Sequence, residues 1–147
     1  MIHPKGLFVF ESKDYDGWIF GDSKRRMWTQ TLPAGWEAHK EHFYNPIWQN
    51  NAHCKHLKEY IDGYAPVHSI VVFSDECEFM ELNLHDDATP VIHRSEVSEV
   101  TKSICAATRS NLGQERIDEI YEQLYPFTQL SDSDKNKHAA AIRMNHQ

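Results

Sequence analysis

Glu11 and Lys13 stand two residues apart at the end of the apolar run Leu7-Phe8-Val9-Phe10. Side chains alternate across a strand, so a strand through this segment puts both on one face about 6.6 Å apart and turns Ser12 to the other. A carboxylate held there offers oxygen ligands to Mg²⁺ or Mn²⁺, and a neighbouring lysine can orient or deprotonate a water and balance charge on a phosphate in transit. That is the minimum for metal-assisted phosphodiester hydrolysis. Glu-x-Lys alone is common on solvated strand faces, but here the pair ends an apolar strand and precedes a turn, so the charges emerge at the edge of a sheet.

Other residue types invite competing chemistry. His53 and His56 lie one helical turn apart with Cys54 between them, and His39 and His42 repeat the spacing. Structural zinc needs four convergent ligands, and Cys54 falls on an apolar stripe, so the pattern favours ordinary surface histidines over a zinc site. Trp18, Trp28, Trp36 and Trp48 could stack bases, but tryptophans near hairpins and helix starts are more often core. Lys24-Arg25-Arg26 reads as a turn tip able to touch a nucleic-acid backbone if it flanks the pocket.

The elements that would position these groups are legible from pattern. The strand through residues 7–10 runs into Glu11; Asp16-Gly17 turns the chain into Trp18-Ile19-Phe20, and a polar turn at 22–25 leads to residues 27–32, giving three strands in an antiparallel meander. Pro33 and Gly35 open a loop ending at Asn45-Pro46, an N-cap followed by a residue pre-organised for the first helical position. The helix should run to about Asp62, with Ile47, Cys54, Leu57 and Ile61 as its apolar stripe and Gln49, His53, His56 and Tyr60 flanking it. Residues 69–74, Ser-Ile-Val-Val-Phe-Ser, form a continuous apolar run that suits a central strand covered on both faces, beside the first strand. Shorter strands are expected at 79–82 and 90–93, a helix capped by Ser95 with Val97, Val100 and Ile104 facing the core, a helix from about Gln114 stopped by Pro126, and a weak terminal helix over 131–142.

With 147 residues and 40% hydrophobic content the chain fits a single domain spanning residues 1–147, frayed from about residue 131. The net charge of −7 speaks against non-specific coating of nucleic acid but not against a carboxylate–metal pocket with a local basic edge. Three widely spaced cysteines give neither a disulfide framework nor a zinc ribbon, and no stretch is long and apolar enough to span a bilayer. A cytoplasmic protein that makes no membrane contact is expected.

In its ordered motifs the sequence resembles the nuclease-related domain (NERD) family, a branch of the restriction-endonuclease-like Asp…(Asp/Glu)-x-Lys superfamily. The residues that carry the likeness are Gly6-Leu7-Phe8-Val9-Phe10-Glu11-Ser12-Lys13; Tyr15 and Gly17-Trp18-Ile19-Phe20-Gly21 with Trp28; Asn45-Pro46-Ile47-Trp48-Gln49 with His53 and Leu57; and Ile70-Val71-Val72-Phe73-Ser74. The resemblance spans about residues 6–94. It implies a mixed α/β core with a central mixed sheet, an antiparallel meander and flanking helices. It further implies that Glu11 binds Mg²⁺ or Mn²⁺ with the Ser12 carbonyl, that Lys13 assists the attacking water, that Gln49 reaches the same pocket, and that DNA is the substrate. Asn45, His53, Lys24, Arg25 and Arg26 are the candidate substrate contacts, the helix start offering backbone N–H groups to a phosphate.

The family places a further metal-binding Asp on a strand just upstream, preceded by a helix, and residues 1–5 hold no Asp. The expectation is a reading frame opened at an internal methionine, with the first helix and strand of the core missing. A sheet edge left bare there would favour a homodimer or larger assembly. Two functions follow: a metal-dependent DNA nuclease whose turnover hinges on the missing Asp, or a non-catalytic nucleic-acid-binding or interaction module that keeps the fold.

Overall fold

The structure is a computed structural model and describes residues 1–34, 37–85 and 88–129. It divides into two compact units, Met1–Leu112 and Gly113–Gln147. The first contains β1 (Ile2–His3), β2 (Gly6–Lys13), β3 (Gly17–Asp22), β4 (Met27–Ala34), β5 (Glu37–Tyr44), α1 (Pro46–Tyr60), β6 (Val67–Phe73), β7 (Cys77–Asn83), β8 (Val91–His93), a 3₁₀ turn (Arg94–Glu96) and α2 (Val97–Ala107). The second contributes α3 (Gln114–Thr128). The expected mixed α/β class is what the chain adopts, and no helix among the described residues is long and apolar enough to cross a membrane.

Two four-stranded mixed sheets form, in the orders β1-β2-β6-β8 and β5-β4-β3-β7. β2 and β6 pair in parallel from Leu7–Val67 through Lys13–Phe73, so the apolar run does lie beside the first strand. Alternation then splits the apolar side chains of β6 between two cores. Val71 and Phe73 join Ile19 and Trp28 of the other sheet and Ile47 of α1. Ile70 and Val72 join Phe8 and Ile92, with Val97, Val100 and Ile104 of α2 packed on them. Being apolar on both faces is the physical reason β6 reads as a continuous hydrophobic run.

Several expectations are corrected. The meander is β3-β4-β5 rather than β2-β3-β4, because β2 is taken up by β6 and β3 pairs in parallel with β7. Residues 37–44, expected within a loop, form β5 against β4. Their sequence, Glu-Ala-His-Lys-Glu-His-Phe-Tyr, hides the strand because an exposed edge strand needs no apolar face, and its charges discourage edge-to-edge pairing. Ser95 does not cap a helix: its N–H and hydroxyl both donate to Asp75 Oδ1, at 3.0 and 2.7 Å. These donors hold the Asp75 carboxyl below its ordinary range. Pro126 does not stop α3, which continues to Thr128; its ring forgoes the single bond to the Glu122 carbonyl close to the helix end. Trp36 and the terminal helix over 131–142 lie outside the described residues.

Trp28 is the core tryptophan, stacked on Phe73 with ring centroids 6.4 Å apart. Its ring lies so close to Gly21 that a Cβ there would fall 2.4 Å from it, so that position takes only glycine. Trp18 and Trp48, read as core, are about 40% and 39% exposed.

Asn45 holds the first unit's hairpin to its helix. Its Oδ1 accepts from the N–H groups of Ile47 (2.9 Å) and Trp48 (3.4 Å), capping α1. Its Nδ2 donates to the carbonyls of Arg25 (2.8 Å) and Ser23 (3.2 Å), closing the β3–β4 turn. Replacing Asn45 with Ala removes the cap and strands buried carbonyls, so urea unfolding should show a loss of about 2–4 kcal/mol at unchanged m-value. Asn45→Asp keeps the acceptor but turns an oxygen toward the Arg25 carbonyl. It should fail to restore stability at neutral pH.

Candidate active site

The parallel pairing fixes where the charged end of β2 goes. Glu11 lies opposite Val71 and Lys13 opposite Phe73, and both side chains rise on the face that α1 covers. The helix is held to that face by Asn50, whose Nδ2 donates to the Val9 carbonyl (2.9 Å), Ser69 Oγ (2.9 Å) and the Ile70 carbonyl (3.3 Å). Gln49 and His53, one turn apart on α1, are thereby set above the strand end.

Lys13 Nζ sits 2.8 Å from Glu11 Oε1 and donates to Gln49 Oε1 at 3.0 Å. His53 Nε2 approaches Glu11 Oε2 at 3.6 Å. The Glu11 and Lys13 side chains keep only 12% and 14% of their surface exposed, whereas His53 keeps 34%. One ammonium thus joins an anionic and an amide oxygen supplied by a strand and a helix far apart in sequence. Such a partly desolvated, charge-assisted contact is stronger than a solvated surface pair.

Of the residues singled out from sequence, Glu11, Lys13, Gln49 and His53 come together. The Ser12 side chain is exposed on the opposite face. Because Leu7 N–H donates to the Pro66 carbonyl and the Lys13 carbonyl accepts from Ser74 N–H, at the two ends of β6, the alternating pattern of a parallel pair turns the Ser12 carbonyl to the other edge of β2. On that edge β1 pairs only with Gly6 and Leu7. Asn45 does not join the cluster: it is fully buried and its amide is spent on the cap and the turn. Lys24, Arg25 and Arg26 are exposed at the β3–β4 turn, which Trp48 Nε1 ties to the start of α1 by donating to the Ser23 carbonyl at 2.9 Å. Within that turn the Lys24 N–H on Asp22 Oδ1 holds the Asp22 carboxyl below its ordinary range, with His85 and Arg25 adding to the effect.

A family model described as the nuclease-related domain matches residues 1–74. The chain belongs to the nuclease-related domain family. That match contains the whole cluster and ends just after β6, short of the span to Arg94 read from sequence, so β7, β8 and α2 lie beyond it. An uncharacterized protein of Bacillus anthracis is 29% identical over 138 residues. The alignment covers 94% of this chain and 62% of that protein, so the chain spans under two thirds of its relative's length. No solved structure matches significantly.

The donor set can be weighed for a divalent ion. Glu11 and Gln49 present oxygens to one point, now joined by the Lys13 ammonium, and Mg²⁺ is commonly bound through one or two protein oxygens completed by waters and substrate phosphate. Among the described residues no group of three or more His, Cys, Asp and Glu is placed to hold a metal ion. The cluster therefore fits a hard cation that is shared with substrate better than one enclosed by protein. His56, by contrast, turns to Glu59 at 3.5 Å, and Cys54 is buried, its thiol pushed up by burial.

Asn50 was not singled out from sequence, although its spacing from Ile47 and Cys54 puts an amide on the buried stripe, where it must find partners. The strength of the pair is measurable by a double-mutant cycle. Glu11→Gln and Lys13→Met should each destabilise, and together cost less than their sum. A coupling of about 1–3 kcal/mol in urea unfolding is expected, whereas strict additivity would mean that the contact is solvated in solution.

Proposed function

We propose that this chain is the core of a Mg²⁺- or Mn²⁺-dependent nuclease that hydrolyses phosphodiester bonds in DNA. The single observation that carries the reading is Lys13 Nζ shared between Glu11 Oε1 and Gln49 Oε1 in a domain of this family. Three free cysteines support placing it in a reducing cytoplasm.

In this reading Glu11 and Gln49 would hold the ion, with the Ser12 carbonyl on the neighbouring strand edge as a further ligand. When bound, the ion supplies Lewis-acid polarisation of a phosphate oxygen and eases deprotonation of a water. His53 Nε2 steadies the Glu11 carboxylate from its Oε2 side. Lys13 Nζ orients the attacking water and balances the negative charge that builds on the phosphate oxygens as the new P–O bond forms and the opposite P–O bond breaks. The exposed Lys24, Arg25 and Arg26 lie on the turn fastened to the start of α1, where they can take neighbouring phosphates.

Cleavage of supercoiled plasmid by the full chain tests the proposal. Mg²⁺ or Mn²⁺ should be required, and chelation should stop the reaction. Glu11→Ala and Lys13→Ala should each lower the rate by about 10²-fold or more with the fold intact by circular dichroism. Absence of metal-dependent cutting, or unchanged cutting by Glu11→Ala, overturns the catalytic reading and leaves a binding module.

A further inference from the structure

The face of α1 that carries Trp48, Asn51, Lys55 and Lys58 is not the face that meets Glu11. The spacing of three, four and three residues aligns these four along the helix, whereas Gln49 and His53 lie on another side. Three open hollows follow the Trp48 face. The first, of about 320 Å³, is lined by Lys24 and Trp48 among others. It shares Asn51, Ala88 and Thr89 with a second of about 640 Å³ that holds Lys55 and Lys58. The second shares Lys58, Val67 and His68 with a third of about 570 Å³, which reaches Tyr64. Shared walls make the three one groove. Between Trp48 and Lys58 it follows α1 for about 15 Å at 1.5 Å per residue.

The charge in this groove runs against that of the chain. Among the described residues three lysines line it against one carboxylate, Glu59, which is drawn to Lys55 at 3.9 Å and His56 at 3.5 Å. The chain as a whole carries −7. Aromatic rings stand exposed at its ends: Trp48 is 39% and Tyr64 76% accessible. Trp48 is also held in orientation, because its indole N–H is spent on the Ser23 carbonyl and Tyr44 meets its ring edge-on at 6.2 Å. A cationic groove with exposed ring faces is the arrangement that tracks a single-stranded nucleic-acid backbone while bases stack on aromatics.

We propose that this groove is a binding site for single-stranded nucleic acid, separate from the Glu11–Lys13–Gln49 cluster. Lys24, Lys55 and Lys58 contact successive phosphates, and Trp48 and Tyr64 stack bases. The proposal takes its polymer class from the nuclease reading and is otherwise independent of catalysis, since binding here needs no divalent ion.

The test is fluorescence anisotropy of a labelled oligothymidylate and of a duplex of equal length, titrated with the full chain in chelator so that no cleavage occurs. The single strand should bind more tightly than the duplex, with a linear dependence of log K on log salt. The exposed double variant Lys55→Glu/Lys58→Glu should lose about tenfold or more in affinity and flatten the salt slope by about 1.4, the share of two single-strand phosphate contacts. Trp48→Phe should retain most of the affinity, whereas Trp48→Ala should lose about tenfold. Lys40→Ala, an exposed lysine on β5 outside the groove, should bind as wild type does. Wild-type binding by the lysine pair, tighter binding of duplex, or an equal loss of binding on Lys40→Ala overturns the proposal. If cleavage is present and the lysine pair changes nothing, the groove fails and the nuclease reading stands. If cleavage is absent and the lysine pair weakens binding, the groove stands alone.

Discussion

The parallel pairing of β2 with β6 is the constraint on which the rest of the first unit depends. Seven consecutive residues, Leu7 to Lys13, are in register with Val67 to Phe73. A slip of one residue would exchange the two faces of β2, turning Glu11 and Lys13 away from α1 and putting Phe10 and Ser12 under the helix. The register also divides β6 between two cores, so the energetics of packing and the aim of the charged pair are set by one feature. Asn50 reinforces it, because its amide reads carbonyls on both strands of the pair at once.

Around that frame, local sequence and tertiary packing agree in some places and compete in others. Asn45-Pro46 starts α1 from local chemistry alone, and the structure uses the same asparagine to fasten the β3–β4 turn. The run at 69–74 announces a strand buried on both faces because it carries no alternation. Glu11 and Lys13 were legible as a same-face pair from strand geometry, and Asn45-Pro46-Ile47-Trp48-Gln49 placed Gln49 in the first turns of the helix. That Gln49 reaches this pair came from the family resemblance and not from local pattern, because its 3.0 Å contact with Lys13 joins residues 36 apart in sequence.

What escaped the sequence has identifiable physical causes. β5 shows neither an apolar face nor alternation, since an edge strand gains its stability from one ladder and gains solubility from charge. The division into two sheets was hidden because β2 and β3 are adjacent in sequence yet take long-range partners, β6 and β7. Ser95 offered a plausible cap, but Asp75 from another loop outcompeted the helix for its hydroxyl and N–H. Trp18 and Trp48 looked like core by residue type, whereas among the described tryptophans Trp28 is the one that is buried, stacked on the face of Phe73 across the inter-sheet layer.

Glu11, Lys13 and Gln49 are proposed to form one site in which a lysine ammonium and a hard cation compete for the same oxygens. Titration of Mn²⁺ into the full chain, followed by the loss of the free-ion electron paramagnetic resonance signal, addresses this without relying on turnover. Wild type should bind Mn²⁺, Lys13→Met should bind it at least as well because the competing ammonium is gone, and Glu11→Gln should abolish binding. Equal Mn²⁺ binding by wild type and Glu11→Gln, or no binding by any of the three, would contradict the account.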